Sequence, residues 1–194
     1  MPTLAMSAGT MISLASNRIV MARHSQLGPI DPQIPTAGGR SYSARAIVEQ
    51  FKQAQREILE DQRAALFWAP IISTNGPALL QEAENNLAYS EEMVARYLAQ
   101  YMFNGAPDAV ARGKTVANYF NDAVIHKSHG RRIGIEEARA QGLDVALLED
   151  SQALQEQILT AYHVMTLFFE QTFMTKMMWS DQNQRWVKNW AGAA

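Results

Sequence analysis

The residues of this chain that could do chemistry begin with Ser7, in the stretch AMSAGTMISLAS at positions 5–16. Ala8, Gly9 and a run of apolar residues follow it, and this pattern predicts a short buried helix. One interpretation is that Ser7 caps the helix by accepting a backbone hydrogen bond. The other is that Ser7 is a nucleophile, because backbone N–H groups and the positive end of the helix dipole stabilise an oxyanion there.

A nucleophilic serine needs a base, and the segment HKSHG at positions 126–130 supplies three candidates. His126 and His129 have side chains that exchange protons near neutral pH. We favour His129 as the base and take Lys127 as the second candidate. Asp31 is the candidate for the group that orients the base, and an Asx-type turn is the alternative explanation of Asp31.

Two other roles for this segment are weaker. His126 and His129 have a spacing that metal ligands can show, but no acidic residue or third His is near them in sequence, and Gly130 predicts a turn. Gly130–Arg132 fits an anion site or, more simply, a solvated turn. We predict no metal site and no organic cofactor.

The composition is that of a globular protein, with 194 residues, of which 47% are hydrophobic and 19% charged. A net charge of −2 without a dense Lys/Arg run argues against a nucleic-acid partner. The absence of cysteine excludes thiolate catalysis and fits the cytoplasm. No apolar run reaches the roughly 18 residues of a membrane span, and no charged segment precedes the first apolar stretch. We therefore expect a cytoplasmic chain without a signal peptide.

The elements that would position these residues begin with the helix at 6–15 and a short buried strand at 19–21. The Pro- and Gly-rich segment 24–40 predicts a rigid non-helical loop of functional importance. From Ala44 onward the spacing predicts helices: one from Ala44, one restarting near Pro77, one capped by Ser90 and ended by Gly105, and one at 108–120.

The remainder predicts a strand at the start of VIHKSHGRR, then a turn, a helix ended by Gly142, and a second short strand. A long helix is expected from Ser151 to about Met178, and the aromatic tail stays unassigned. The fold class is therefore α/β, mostly helical with a few short strands. We expect two parts, a domain at 1–150 and a helical extension at 151–194.

The stretch AMSAGTMISLASNRIVMARHSQLGPIDPQ at 5–33 closely resembles the serine dehydrogenase proteinase family. These are prokaryotic, largely bacterial, serine peptidases related to signal peptide peptidase A, within the Clp-protease/crotonase superfamily. The resemblance continues in AIVEQFKQAQREI, YLAQYMFNG and HKSHGRRIGIEEARAQGLDVALLED. It implies that Ser7 is the nucleophile, that amides near Ser7, Ala8 and Gly9 bind the oxyanion, and that Gly28 and Pro29 border the substrate groove.

The resemblance leaves the base open. In the Clp branch a His lies on the loop after the second strand, and an Asp lies before the late helix. The first place falls in Gly28–Asp31, which has no His, and the second falls on His129 or Gly130. Relatives like signal peptide peptidase A use a Lys, whose place falls near Arg45, and Arg does not accept a proton at neutral pH. Lys52 is the nearest lysine.

The resemblance implies peptide-bond hydrolysis through an acyl-serine, a peptide or protein substrate, homo-oligomers, and membrane association in some relatives. Family members carry an HTPGG-like loop before the serine that supplies oxyanion amides. This sequence begins after that place, so the resemblance implies the C-terminal portion of a Clp/crotonase-type fold, truncated relative to the family. Inactivity of the chain alone is then an alternative to hydrolysis. The alternative is a non-catalytic remnant or an oligomerising interaction module on the same fold. Acyl-CoA chemistry is a third, weaker hypothesis, because that branch needs no serine here.

Overall fold

The structure is a computed structural model that describes residues 1–36, 39–73 and 78–190. Its helices are α1 (Ala8–Leu14), α2 (Ala44–Glu60), α3 (Ala64–Ser73), α4 (Leu79–Gln100), α5 (Ala109–Asn121), α6 (Ala123–His126), α7 (Ile135–Ala140) and α8 (Gln152–Gln171), with a 3-10 helix at Leu148–Asp150. Its strands are β1 (Leu4–Ala5), β2 (Ile19–Met21), β3 (Gln26–Leu27), β4 (Gln33–Pro35), β5 (Ser41–Ser43), β6 (Val145–Leu147), β7 (Met174–Trp179) and β8 (Arg185–Asn189).

The predicted fold class is confirmed, because the chain is mixed α/β, mostly helical, with short strands. Contacts divide it into Thr3–Leu147 and Leu148–Ala194, while the domain assignment made from sequence stays a prediction. Across the described residues, no helix combines the length and apolar character that crossing a membrane requires.

Parallel strand pairs build the centre of the first unit. β1 pairs with β3, and the predicted strand β2 pairs with β6. Parallel pairing needs a crossover connection, and α1 supplies the one between β1 and the strands that follow. On its other side β3 forms an antiparallel bridge from Leu27 to Ile133. The short strand β3 therefore touches both the start of the chain and the segment just after residue 130.

The core of this unit lies beneath α1, β2 and β3 and continues between α4 and α5. Large apolar side chains that are fully buried here belong to one cluster: Leu14, Met21, Leu27, Leu98, Val94, Phe120 and Ile133. A smaller cluster joins β4 to the first turns of α2 and to α4. These clusters hold in place the loops that connect the strands, and the candidate site lies on those loops.

One predicted helix boundary is wrong. α4 runs without a break from Leu79, so Ser90 lies inside the helix and does not cap it. The Ser90 hydroxyl lies 3.0 Å from the Leu87 carbonyl oxygen and 3.2 Å from Asn121 Oδ1. A buried serine is tolerated in a helix when it bonds back to its own helix or to a polar neighbour. The predicted restart at Pro77 lies outside the described residues.

The predicted strand at the start of VIHKSHGRR is also wrong, because these residues form α6. Asp122 caps this helix through Oδ1, which accepts hydrogen bonds from the N–H groups of Val124 and Ile125 at 2.8 and 3.2 Å. A good cap therefore overrides the strand preference of two β-branched residues.

The last helix is shorter than predicted. α8 ends at Gln171, and β7 and β8 form an antiparallel hairpin that pairs Met178 with Trp186. Asn183 takes a positive φ of 59° in the turn, and its Oδ1 accepts a hydrogen bond from Trp179 Nε1 at 3.0 Å. The aromatic residues that the sequence left unassigned thus belong to a hairpin, because aromatic and β-branched residues favour strands.

Thr10 connects the turn before α1 to the loop after β3. Its side chain is fully buried, and its hydroxyl lies 2.6 Å from the Ala5 carbonyl oxygen and 2.9 Å from that of Gly28. The same oxygen accepts the Gly28 N–H at 3.0 Å. A Cβ at Gly28 would lie 2.4 Å from the end of the Met6 side chain, so a larger residue there requires Met6 to adopt another rotamer.

Replacing Thr10 with valine keeps the shape of the side chain but leaves the buried Gly28 N–H without an acceptor. We expect Thr10→Val to lower the free energy of unfolding by about 1–3 kcal/mol. Thr10→Ser keeps the hydroxyl and loses one methyl group, so about 1 kcal/mol is expected. Urea denaturation of both variants measures the difference. A Thr10→Val protein as stable as the wild type would show that this hydroxyl does not hold the loop.

Candidate active site

Ser7 lies on a sharp turn between β1 and α1. Its backbone has φ 51° and ψ −114°, a region that residues other than glycine seldom occupy. Strain of this kind persists where surrounding contacts impose it, and it is common at functional sites. The Ser7 side chain makes no capping hydrogen bond to α1. The capping interpretation therefore does not describe this residue.

The hydroxyl of Ser7 instead meets His129. The Ser7 Oγ–H donates to His129 Nε2, and the other ring nitrogen, Nδ1, lies 2.7 Å from Asp31 Oδ1. A carboxylate can only accept hydrogen bonds, so the ring proton belongs on Nδ1, and Nε2 is left as an acceptor. The structure thus brings together three of the predicted site residues, in an order along the chain of Ser7, Asp31, His129.

Asp31 is held rigidly. Its side chain is 1% exposed, and Oδ2 accepts a hydrogen bond from Gln33 Nε2 at 2.8 Å. The flanking backbone is also fixed, since the Ile30 N–H donates to Phe120 O at 2.9 Å and Pro32 O accepts from the Ala44 N–H at 2.8 Å. Within the described residues its carboxylate bonds to side chains and makes no Asx turn.

His129 lies on a short loop that follows α6. The Ser128 carbonyl accepts the Arg131 N–H at 3.0 Å, and the Ser128 hydroxyl accepts the Gly130 N–H at 3.2 Å. These bonds close a turn that presents a half-buried imidazole, 32% exposed, toward Ser7. Partial exposure leaves the ring reachable by substrate while its Asp31 partner stays out of water.

The second candidate base, Lys127, is not brought to Ser7. It ends α6 in a left-handed conformation with φ 62°, its side chain is exposed, and it does not line the cleft beside Ser7. Lys52 does not line this cleft either, and its ammonium pairs with Glu49 Oε1 at 3.2 Å on the exposed face of α2. Of the three groups considered in HKSHG, His129 alone contacts the serine, since His126 is buried with other partners.

His126 belongs to a polar group behind the candidate site that sequence reasoning missed. Its Nε2 lies 2.7 Å from Tyr119 O, and its Nδ1 lies 2.8 Å from Arg131 Nη1. Arg131 Nη1 also lies 2.8 Å from Glu137 Oε1, and Glu137 accepts a hydrogen bond from the Tyr119 hydroxyl. The anion-site interpretation of Gly130–Arg132 is therefore wrong for Arg131, whose charge is already matched by Glu137.

Two pKa values in this group are shifted. Burial is the main cause that raises the pKa of the Tyr119 hydroxyl, and the hydrogen bond to Glu137 raises it further. The pKa of Arg131 is also raised, chiefly through its hydrogen bond with Tyr119. Both groups therefore keep their protons across the physiological range, and the group stays intact there.

Of the residues predicted to bind the oxyanion or border the groove, only some lie where the prediction requires. Ala8 opens α1, and its N–H is among the helix donors that have no intrahelical acceptor. No partner for this N–H occurs in the part of the chain that the structure describes. The Gly9 N–H instead donates to Met6 O at 2.8 Å. Gly28 and Pro29, the predicted groove residues, are buried and do not line the cleft beside Ser7, whereas the next residues, Ile30 and Asp31, do.

A cleft of about 350 Å³ opens beside Ser7. Besides Ser7, Ala8, Asp31 and His129, its lining comprises Met11, Ile30, Pro32, Gln33, Asn86, Tyr89, Ser90 and Met93. The cleft is therefore mostly apolar, and its lining includes the uncharged polar side chains of Gln33, Asn86 and Ser90. No group of three or more His, Asp or Glu among the described residues could hold a metal ion.

Comparison with known proteins adds three findings. The family model of the ClpP-like SDH-type serine proteinase matches residues 1–146. An uncharacterized protein of Methanocaldococcus jannaschii is 38% identical over 65 residues, which cover 34% of this chain and 21% of that protein. A second uncharacterized protein of the same organism is 24% identical over 135 residues, or 70% of this chain and 40% of that protein. The matches thus span less than half of either relative, and no solved structure matches the chain.

The strain at Ser7 can be measured by comparing Ser7→Gly with Ser7→Ala. Both variants lack the hydroxyl, but glycine also lacks the Cβ that disfavours a positive φ. Relief of the backbone strain should stabilise the glycine variant by about 1–3 kcal/mol. This gain exceeds the roughly 0.4–1 kcal/mol by which glycine lowers the free energy of unfolding, because it gives the unfolded chain more conformational freedom. Thermal and urea unfolding should therefore find Ser7→Gly the more stable variant. If Ser7→Ala is instead the more stable, the turn is not strained in solution.

Proposed function

Because the chain belongs to the ClpP-like SDH-type serine proteinase family, we propose that it hydrolyses peptide bonds through an acyl-serine formed on Ser7. Family membership was expected from the resemblance and is shown; the roles of individual residues are proposals. The observation that carries them is the hydrogen-bonded series from Ser7 Oγ to His129 to the buried Asp31 carboxylate. A hydroxyl, a base and an orienting carboxylate in this geometry suit acyl transfer.

In the first half of the proposed reaction, Ser7 Oγ attacks the carbonyl carbon of the scissile peptide bond while its proton passes to His129 Nε2. Asp31 stabilises the imidazolium that forms and keeps it oriented. The tetrahedral intermediate then collapses as the C–N bond breaks and His129 gives its proton to the departing amine. The products of this half are a free amine and an ester on Ser7.

In the second half, water replaces the amine. His129 Nε2 takes a proton from the water as its oxygen attacks the ester carbonyl, and it returns that proton to Ser7 Oγ as the C–O bond breaks. A carboxylic acid leaves and the site is restored. The Ala8 N–H, which opens α1 beside Ser7, is the proposed oxyanion donor in both halves, and a single such donor contributes about 10²–10³ in rate.

The cleft supports a substrate with an apolar side chain beside the scissile bond. Met11 and Met93 contribute flexible thioethers, Ile30 an aliphatic surface and Tyr89 an aromatic one. The lining holds no charged side chain apart from Asp31 and His129, which already bond to each other. A charged substrate side chain would lose its water there without gaining a partner, so apolar residues are preferred.

The remaining assignments follow from family membership and are proposals as well. The partners are a peptide or protein substrate and further copies of this chain. The proposed reaction uses protein groups throughout and calls for no cofactor. A cytoplasmic location and membrane association stay predictions.

A fluorophosphonate probe tests the proposed nucleophile, because it reacts with serines that a neighbouring base activates. We expect labelling of the folded wild-type chain and none of Ser7→Ala. His129→Gln and Asp31→Asn should slow labelling by at least about 100-fold, since general-base assistance contributes about 10²–10⁴. Lys127→Ala is the matched control from the same loop and should label at the wild-type rate.

Each outcome separates the alternatives. Slow labelling of Lys127→Ala with normal labelling of His129→Gln would make Lys127 the base. A folded wild-type chain that does not label would overturn the proposal and favour the non-catalytic interaction module. Mass spectrometry of the labelled peptide identifies the modified residue directly.

A further inference from the structure

The loop that carries His129 is closed at its base by side chains that do not touch Ser7. His126 ends α6 on one side of the loop, and Arg131 follows it on the other. Their side chains bond to each other, with Arg131 Nη1 2.8 Å from His126 Nδ1. We propose that Arg131 is a positioning residue, which sets the His129 imidazole by fixing both ends of this loop. The inference rests on the function proposed above.

Arg131 has fixed partners on both sides. Its Nη1 lies 2.8 Å from Glu137 Oε1 near the start of α7 and 3.4 Å from the Tyr119 hydroxyl on α5. The Tyr119 hydroxyl also bonds to Glu137. The guanidinium therefore connects the loop to two helices, and its charge is matched by one carboxylate. All these contacts are made by Nη1, whose two N–H groups lie in the plane of the guanidinium and are directed at His126 Nδ1 and Glu137 Oε1, both at 2.8 Å. A freely rotating ammonium does not fix the directions of its donors in this way.

His126 is the fixed point at the other end. It is 3% exposed, its Nε2 lies 2.7 Å from Tyr119 O, and the two rings pack edge to face at 4.9 Å. Because Arg131 carries only donors, His126 Nδ1 must accept, and the ring proton on Nε2 then donates to Tyr119 O. These hydrogen bonds fix one tautomer of the His126 ring, and the end of α6 cannot shift without breaking them.

The position of Arg131 along the chain relates it to His129 and Asp31. Its own N–H closes the turn on Ser128 O at 3.0 Å. Two residues later, Ile133 exchanges hydrogen bonds of 2.9 Å in both directions with Leu27 of β3, the strand that leads to Asp31. The loop is thus held on one side by the Arg131 contacts and on the other by β3. Loss of the Arg131 contacts would let the His129 imidazole move relative to both Ser7 and Asp31.

The expected consequence is slower chemistry with unchanged binding, because Arg131 does not line the cleft. A displacement of about 1 Å in a reacting group lowers the rate by about 100-fold. For the fluorophosphonate probe, we expect Arg131→Ala to lower the limiting rate of labelling at saturation by about 10- to 100-fold. The probe concentration that gives half of that rate should change less than twofold.

Three further variants make the result specific. Arg132→Ala removes a neighbouring exposed arginine and should label as the wild type does. Arg131→Lys keeps the charge but not the planar pair of N–H groups on Nη1, and it should recover part of the rate. Glu137→Gln should lower the limiting rate as well, and the double variant with Arg131→Ala should be no slower than the worse single variant, because both act through one network. Millimolar guanidinium, compared with equal NaCl, should accelerate Arg131→Ala alone.

The outcomes distinguish this proposal from the proposed function. A folded wild type that does not label refutes both. If the wild type labels and Arg131→Ala reaches the same limiting rate, the positioning role is refuted and the function stands. If the circular dichroism signal of Arg131→Ala shows that this variant does not fold, Glu137→Gln is the variant that tests the proposal. A folded Glu137→Gln with the wild-type limiting rate overturns it. A loss of rate that follows the loss of folded protein in every variant overturns it too.

Discussion

The hydrogen bond between His129 Nδ1 and Asp31 Oδ1 is the constraint on which the candidate site depends. It joins residues 98 positions apart at 2.7 Å, and it decides which ring nitrogen faces Ser7. The two-residue strand β3 makes this possible. It pairs with β1 on one side, bringing the Ser7 turn close, and bridges to Ile133 on the other, bringing the His129 loop close. Asp31 follows on the same segment, so one short strand supports all three groups.

Two features of this site are destabilising, the burial of the Asp31 carboxylate and the backbone strain at Ser7, and local contacts offset both. A carboxylate as buried as that of Asp31 is expensive unless both of its oxygens are satisfied, and His129 and Gln33 supply those partners. Ser7 adds backbone strain through its positive φ. The buried hydroxyl of Thr10 opposes that strain, because it holds the carbonyl before the turn and the loop before Asp31 at once. The arrangement is stable only while these contacts are kept together, which is the usual balance between stability and function.

Sequence reasoning reached the parts of the structure that depend on local pattern. The helix after Ser7, the strand at 19–21 and the helix from Ala44 follow from the spacing of apolar residues, which is local. The continuity of α4 through Ser90 could not be predicted, because it depends on a bond to Asn121 on another helix. The network of Tyr119, Arg131 and Glu137 was missed for the same reason. Each of these residues is ordinary in its own segment, and their contacts exist only once α5, α6 and α7 have packed.

The resemblance to the Clp branch implied a histidine where this chain has Gly28–Asp31 and an aspartate where it has His129 or Gly130. The structure gives a physical reason why the exchange is compatible with the same chemistry. Both loops flank β3, so a carboxylate on either one can reach an imidazole on the other. What the chemistry requires is that Nε2 face the serine and Nδ1 face the carboxylate, whichever loop supplies each group. With the two groups exchanged, the proposed base lies on the loop after α6, and its carboxylate partner lies on the loop after β3. Under the positioning role proposed above, the contacts of Arg131 with His126 and Glu137 hold the loop that carries His129 in place.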